Sequence, residues 1–274
     1  MYNLVLTLGF LYFVDNKLNI SQKIMPKLEL SLSVLSNKEK NTSNQVFTSY
    51  LTTDPLMESV VPMQDPVIPI KDKVLLDVPI LRQYPELPRG CEVTSLAMLL
   101  QDANVNVGKM QLAEEVKKHP TPYEKKNGEV YWGDPNNGFL GDMYSFDSPG
   151  YGVYYKPIQI LANEYSPDRI IDLTGKNFTD LQVYLSKGVP IWVITNTTYK
   201  KLPESSFQTI HTESGEIKIT YKEHSVLVTG YDQNHVYIND PITGEKNKKV
   251  EMEDFIEAWK QMGSQAITYL QEVV

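Results

Sequence analysis

The sequence predicts an α+β fold, and three observations carry that expectation. Helical patterns dominate the first half of the globular part and strand patterns the second, a segregation that points to helices packed on an antiparallel sheet. Two apolar runs, Ser225 to Tyr231 and His235 to Asn239, flank the polar Asp232-Gln233-Asn234, which is a hairpin signal. The only cysteine, Cys91, follows Gly90 and opens the stretch CEVTSLAMLL, where Val93, Leu96, Ala97, Leu99 and Leu100 recur at helical spacing. No internal repeat and no coiled-coil heptad interrupts this plan.

The chain is expected to divide into three parts. Residues 1–14 hold the apolar run LVLTLGFLYFV, 11 residues from Leu4 to Val14. A comfortable bilayer crossing needs about 20 residues, so the run matches the core of an export signal better than a span. Against export, no Lys or Arg precedes it and no small-x-small cleavage site follows. A hydrophobic segment that folds onto the domain is the other reading. Residues 15–70 are polar, then punctuated by Pro55, Pro62, Pro66 and Pro69, and read as a linker or stalk. Residues 71–274 form the catalytic-size domain.

Within that domain Val74 to Ile80 reads as a short strand leading into the loop QYPELPRG. The Cys91 helix runs to about Asp102, with Pro88 and Gly90 as its entry. Further helices are expected at Met110 to Lys118, Lys156 to Glu164, Phe178 to Lys187 (stopped by Gly188) and Val250 to Met262. Strands are expected at Pro190 to Thr195, Ile217 to Tyr221, the two hairpin runs, and Ala266 to Leu270. Pro120 to Tyr155 shows no clear periodicity but is rich in aromatics, which suits an ordered surface loop beside a cleft.

Composition excludes several classes. The 274 residues are 41% hydrophobic and 22% charged, with a net charge of −8, so neither a nucleic-acid surface nor an anionic membrane surface is favoured. One cysteine leaves no internal disulfide and no multi-thiolate zinc site. His119, His211, His224 and His235 show no HExxH spacing, and no EF-hand loop, P-loop or GxGxxG occurs. No cofactor and no metal are expected.

The chemistry concentrates on four residues. Cys91, in the first turn of its helix, would face unpaired backbone N–H groups and a positive dipole end, which favour the thiolate nucleophile. A lone cysteine is also often a small buried hydrophobe. His224 heads the first hairpin strand and Asp240 ends the second. If Tyr231 pairs with His235, Val226 falls opposite Asp240, and His224 lies diagonal to it on the same face. A carboxylate can then orient an imidazole, which completes a nucleophile, a base and an orienting acid. Gln83 could add an amide donor for the oxyanion. Taken singly, Gln83 could be a solvated loop residue, Asp240 a turn former and His224 a core histidine. Glu92 reads as a local carboxylate that suits the helix dipole but opposes a neighbouring thiolate. His211 sits in a turn-like polar stretch and His235 at a strand start; both are weaker bases by position. Trp132, Phe139, Tyr144 and Tyr151, in or near the aromatic loop, could line a substrate groove or pack the loop itself.

The segments QYPELPRGCEVTSLAMLL and EHSVLVTGYDQNHVYINDP together resemble the bacteriocin-processing (double-glycine) cysteine peptidase family, and within it the stand-alone exported bacterial members. The block GDPNNGFLGDMYSFDSPGYGVYYKPI is similar to the segment those members carry between cysteine and histidine. The resemblance covers about Val74 to Leu270 and implies a papain-like fold. It implies Cys91 as nucleophile, His224 as general base and acid, Asp240 as orienter and Gln83 as oxyanion donor. Gln83 lies eight residues before Cys91, a wider gap than is usual in the family, with Pro85 and Pro88 between.

The expected function is a cysteine peptidase acting through a thioester on a peptide or protein substrate. An amidase or acyltransferase on cell-wall peptide would use the same residues, and a binding module on the same fold would need none of the chemistry. There is no ATP-binding transporter domain in this chain, so the leader-peptide substrate of transporter-linked relatives is not carried over. An extracellular or envelope location, with a membrane tether through the amino-terminal run, follows from the export reading; a cytoplasmic location follows from the other.

Overall fold

The computed structural model describes residues 69–271. The apolar run and nearly all of the polar segment expected at 15–70 lie outside the described residues, as do residues 272–274.

The organising layer is a sheet of order β10-β9-β8-β5-β11-β4, with β1 also on β8. The strands are β1 (Val74–Leu75), β4 (Ile170–Asp172), β5 (Ile191–Asn196), β8 (Glu223–Tyr231), β9 (His235–Asp240), β10 (Glu245–Glu251) and β11 (Ala266–Tyr269), and every pairing among them is antiparallel. A second sheet, β2-β3-β6-β7, uses Glu124–Lys126, Glu129–Tyr131, Gln208–Thr212 and Gly215–Ile219, with β3 and β6 parallel. The helices are α1 (Cys91–Asp102), α2 (Lys109–Glu115), α3 (Tyr155–Tyr165), α4 (Phe178–Ser186) and α5 (Met252–Gln261).

The strand IWVITN of β5 is apolar at consecutive positions because both of its faces are buried. Trp192 and Ile194, with Leu227 of β8 and Ile267 of β11, pack among residues of α1, α2 and α3. Ile191 and Val193, with Val226 and Val228, pack instead against Phe178 and Leu181 of α4 and Phe255 and Trp259 of α5. The expected α+β plan of helices packed on an antiparallel sheet holds, and the structure adds that the sheet is a middle layer with helices on both faces.

The helix positions agree with the sequence reading to within a few residues, because each carries a continuous apolar stripe. The strands missed by sequence are those with little to bury. In β10, EKNKKVE, only Val250 is buried, as befits a charged edge strand. That strand takes the residues that begin the expected last helix, so α5 starts at Met252. The hairpin β2–β3 lies inside the stretch read as loop, and only Val130 of it is buried. The strand expected over Val74 to Ile80 stops at Leu75 because β5 already pairs with β8 from Val228 downward.

Two buried hydrogen bonds fasten the start of α1 to the sheet. Trp192 donates its indole N–H to the carbonyl of Glu92 at 2.9 Å, and Ser95 donates its hydroxyl to the carbonyl of Ser225 at 3.1 Å. The first bond holds the residue after Cys91, and the second holds the residue after His224. Replacing Trp192 by Phe removes a donor and leaves a void in a closed core. The expected cost is about 2–4 kcal/mol, to be read from the urea midpoint at unchanged m-value; a loss under about 0.5 kcal/mol would show that the indole does not hold the helix.

Candidate active site

Cys91 is the first residue of α1, with Gly90 as its N-cap. Gly90 admits no side chain, since a Cβ there would stand 2.5 Å from the Cβ of Leu87. The tight turn is closed by Gly90 N–H donating to Leu87 O at 3.1 Å. The first N–H groups of any helix lack intrahelical partners. The nucleophile candidate therefore stands where the sequence places it.

His224 and Asp240 meet as the register argument requires, though by a different path. Tyr231 pairs with Val236, not with His235. A bulge then leaves Thr229 unpaired, and below it Leu227 opposes Asn239. The bulge restores the register that the sequence argument assumed. His224 Nε2 lies 3.0 Å from Asp240 Oδ1, with both side chains buried. The other ring nitrogen, Nδ1, is buried without a partner.

Asp240 is held by more than His224. Tyr199 donates its hydroxyl at 2.9 Å, Lys248 its ammonium at 2.8 Å, and the Ile242 amide its N–H at 3.0 Å. Burial alone would raise this carboxyl's pKa. The hydrogen bond and charge of His224, with Lys248 and Tyr199, overcome it and hold the group well below the usual carboxylate range. Lys248 comes from β10, an element that the sequence did not reveal.

A cavity of about 490 Å³ brings Cys91, His224 and Gln83 to one surface. Gln83 is anchored by its own N–H on Pro241 O at 2.9 Å. Its side-chain Nε2 donates to Leu87 O at 3.2 Å and to Pro88 O at 2.9 Å, while Oε1 is buried without a partner. The amide faces the site, but both of its protons already have acceptors.

Of the four aromatic residues expected at a groove, only Tyr151 lines this cavity. Trp132 and Phe139 are core side chains, and Tyr144 is exposed away from the lining. Missed by sequence are Tyr84, Tyr123, Phe146 and Tyr221, which do line it, together with Arg89 and Glu223. Tyr84 is visible in the entry loop and Phe146 in the aromatic stretch; only the packing of the second sheet brings Tyr123 and Tyr221 near. The weaker histidines stand apart. His235 contacts Asp232 at 2.9 Å at the opposite end of the hairpin, and His211 stacks on Tyr131 in the second sheet.

The thiol itself is surrounded by acids. Cys91 donates to Glu92 Oε2 at 3.2 Å, and Glu223 completes a buried group whose ligand atoms lie within 4.8 Å of one another. Burial, then the charges of Glu92 and Glu223, push the Cys91 thiol up. Cys91 accordingly stands as a hydrogen-bonded thiol.

A family model described as "Peptidase_C39 like family" matches residues 75–267. The uncharacterized protein YvpB of Bacillus subtilis (strain 168) is 48% identical over 194 residues, which is 70% of this chain and 74% of that protein. A crystal structure from Bacillus anthracis, described as a candidate C39-like peptidase, superposes with a TM-score of 0.69 at 47% identity, covering 74% of this chain and 100% of that one. The α+β architecture is thus the papain-like fold of such a peptidase.

The depressed Asp240 carboxyl makes a prediction about stability. Its folded pKa lies below the unfolded value of about 3.9, so its stabilisation is present above that pH and is lost as pH falls through the folded value. Asp240→Asn should cost about 3 kcal/mol at pH 7 and progressively less below about pH 4. Chemical denaturation across pH tests this; a pH-independent deficit would mean that the charge is not what stabilises.

Proposed function

The chain belongs to the peptidase C39-like family, and from that premise we propose that it is a cysteine peptidase that cleaves peptide bonds through Cys91, His224 and Asp240. The observation that carries the reading is the free ring nitrogen of His224. Asp240 occupies Nε2, so Nδ1 is left as the base on the cavity that His224 shares with Cys91.

In this reading Nδ1 takes the thiol proton as Sγ attacks the scissile carbonyl carbon. The resulting oxyanion is received by the unpaired N–H groups at the start of α1. Gln83 contributes by exchanging one of its two loop carbonyl acceptors for the oxyanion. The imidazolium returns its proton to the leaving amine, and a thioester remains. Water, deprotonated by the same imidazole, then releases the acid. Asp240 fixes the tautomer and ring orientation throughout, as the buried carboxylate does in serine hydrolases. The exposed rings of Tyr84, Phe146 and Tyr221 along the cavity favour an extended peptide with apolar side chains.

A mixed synthetic peptide library, digested and read by mass spectrometry, tests the proposal. Wild type should cleave. Cys91→Ala should abolish cleavage with the fold intact, and His224→Ala should reduce it by roughly a thousandfold or more. Cleavage that persists in Cys91→Ala would overturn the mechanism, and so would a wild type that cleaves nothing in the library.

A further inference from the structure

Directly behind the nucleophile lies a group that the mechanism above does not use. Glu92, the second residue of α1, and Glu223, the first of β8, both turn inward against Cys91. The exposure of Glu92 is 1% and that of Glu223 is 9%. Glu92 Oε1 accepts the N–H of Val153 at 2.7 Å, and its Oε2 accepts the Cys91 thiol. Glu223 Oε1 is buried with no partner at all. The chain leaves room for the two carboxyls at Gly152, where an added Cβ would collide with Glu92 Oε1 and stand 3.0 Å from Glu223 Oε2.

We propose that Glu92 and Glu223 form a proton-sharing carboxyl pair that sets the charge state of Cys91, with Glu92 as the member that carries charge toward the thiol. The inference rests on Cys91 being the nucleophile. Two carboxylates this close in a dry site cannot both ionise, so the pair keeps at least one proton across the working range. Among the described residues no lysine or arginine pairs with them. Arg89, on the same cavity, points its guanidinium at the carbonyls of Asp142 and Ser145 and lies 4.8 Å over the Phe146 ring.

The other groups facing the cluster are polar but weak. Tyr151 and Tyr154, from the segment before α3, share a hydrogen bond of 3.0 Å, and burial raises the pKa of both. The Ser225 amide of β8 favours the Cys91 thiolate, and His224 stands beside Glu223 on the same strand. Tyr199, bonded to Asp240, is the remaining titratable neighbour on that side.

The pair acts through Cys91. In acid both carboxyls are protonated, and burial alone, without their charge, opposes the thiolate. As pH rises one proton leaves to solvent, and the charge left on Glu92 pulls the thiol hydrogen back toward itself. Burial pushes the Glu92 carboxyl up to about 7 and pushes Glu223 well above its ordinary value, which puts the changeover near neutrality. The sign for stability follows. A carboxyl whose folded pKa exceeds its unfolded value of 4.5 loses stabilisation as pH rises from about that value to about 7.

The test reads Cys91 without any substrate. Alkylation by iodoacetamide is followed by intact mass against pH in wild type and Glu92→Gln. The amide should leave the rate at pH 5.5 within about twofold and raise it at pH 8 at least tenfold, a shift of about one pH unit or more in thiolate formation. A merely structural glutamate would change both pH values alike, and that result, or no gain at pH 8, would overturn the pair. The infrared carbonyl stretch of protonated carboxylic acid gives a reading on the wild-type protein alone. Wild type should lose part of this band between pH 6 and pH 8, and Glu92→Gln should keep its band at both; a wild type without the band at pH 6 would overturn the proposal even if the variant failed to fold. His224→Ala separates this question from the mechanism. If it leaves alkylation of wild type unchanged, the base assignment fails, while the comparison of wild type with Glu92→Gln still decides the pair.

Discussion

Strand β8 is the constraint on which the rest of the molecule depends. All nine of its residues are buried, and it pairs with β5, β9 and β1. Such a strand cannot slip, because a one-residue shift would turn every side chain to the wrong face. Its lower end carries Glu223 and His224, and its Ser225 carbonyl receives Ser95 of α1. The helix that bears Cys91 and the strand that bears His224 are thereby registered against each other by a hydrogen bond one turn from Cys91. The bulge at Thr229 belongs to the same device. It absorbs the residue of mismatch between the turn at 232–235 and the site, and so brings Asp240 to His224.

Much of this was legible in the chain because it rests on strong local patterns. The helix opened by Cys91 has a Gly before it and a continuous apolar stripe within it. The hairpin has two apolar strands around a polar turn. From those alone the Cys91, His224 and Asp240 positions followed, and the diagonal geometry held even though the pairing at the turn was one residue off. What was not legible depends on contacts distant in the sequence. Lys248 reaches Asp240 only because a highly charged edge strand, EKNKKVE, pairs with β9. The aromatic residues of the cavity divide by packing. Trp132 and Phe139 fill cores, while Tyr123 and Tyr221, flanking strands of the second sheet, come to the opening.

Gln83 shows how a residue can be well placed and still not free to act. Its backbone is pinned to Pro241 and its amide nitrogen to two carbonyls of the entry loop. Those same bonds shape the turn that delivers Cys91. The extra length of this loop, with Pro85 and Pro88 inside it, is thus accommodated by folding it around the glutamine side chain. In the proposed mechanism, holding the turn before Cys91 and receiving the oxyanion then compete for one NH2 group of Gln83.

The electrostatics of Cys91 turn on a comparison of magnitudes. A helix start favours an adjacent anion by about 0.3–1 kcal/mol, and by about 2 kcal/mol in favourable partly buried geometry. A like charge about 4 Å away costs about 4 kcal/mol at an effective dielectric near 20. Glu92 and Glu223 lie within 4.8 Å of the sulfur group, so when either is ionised the acids outweigh the helix. The pull of the helix start toward the thiolate, expected from the sequence, is therefore outweighed, and the opposition expected from Glu92 prevails. Within the proposed mechanism activation comes from His224, whose partnerless Nδ1 takes the proton in competition with Glu92. In that proposal Glu92 and Glu223, adjacent in sequence to Cys91 and His224, bear on the reactivity of the site together with Asp240. The local strings GCE and EHS carry both of them in plain view, and only the approach of α1 to β8 shows that they meet.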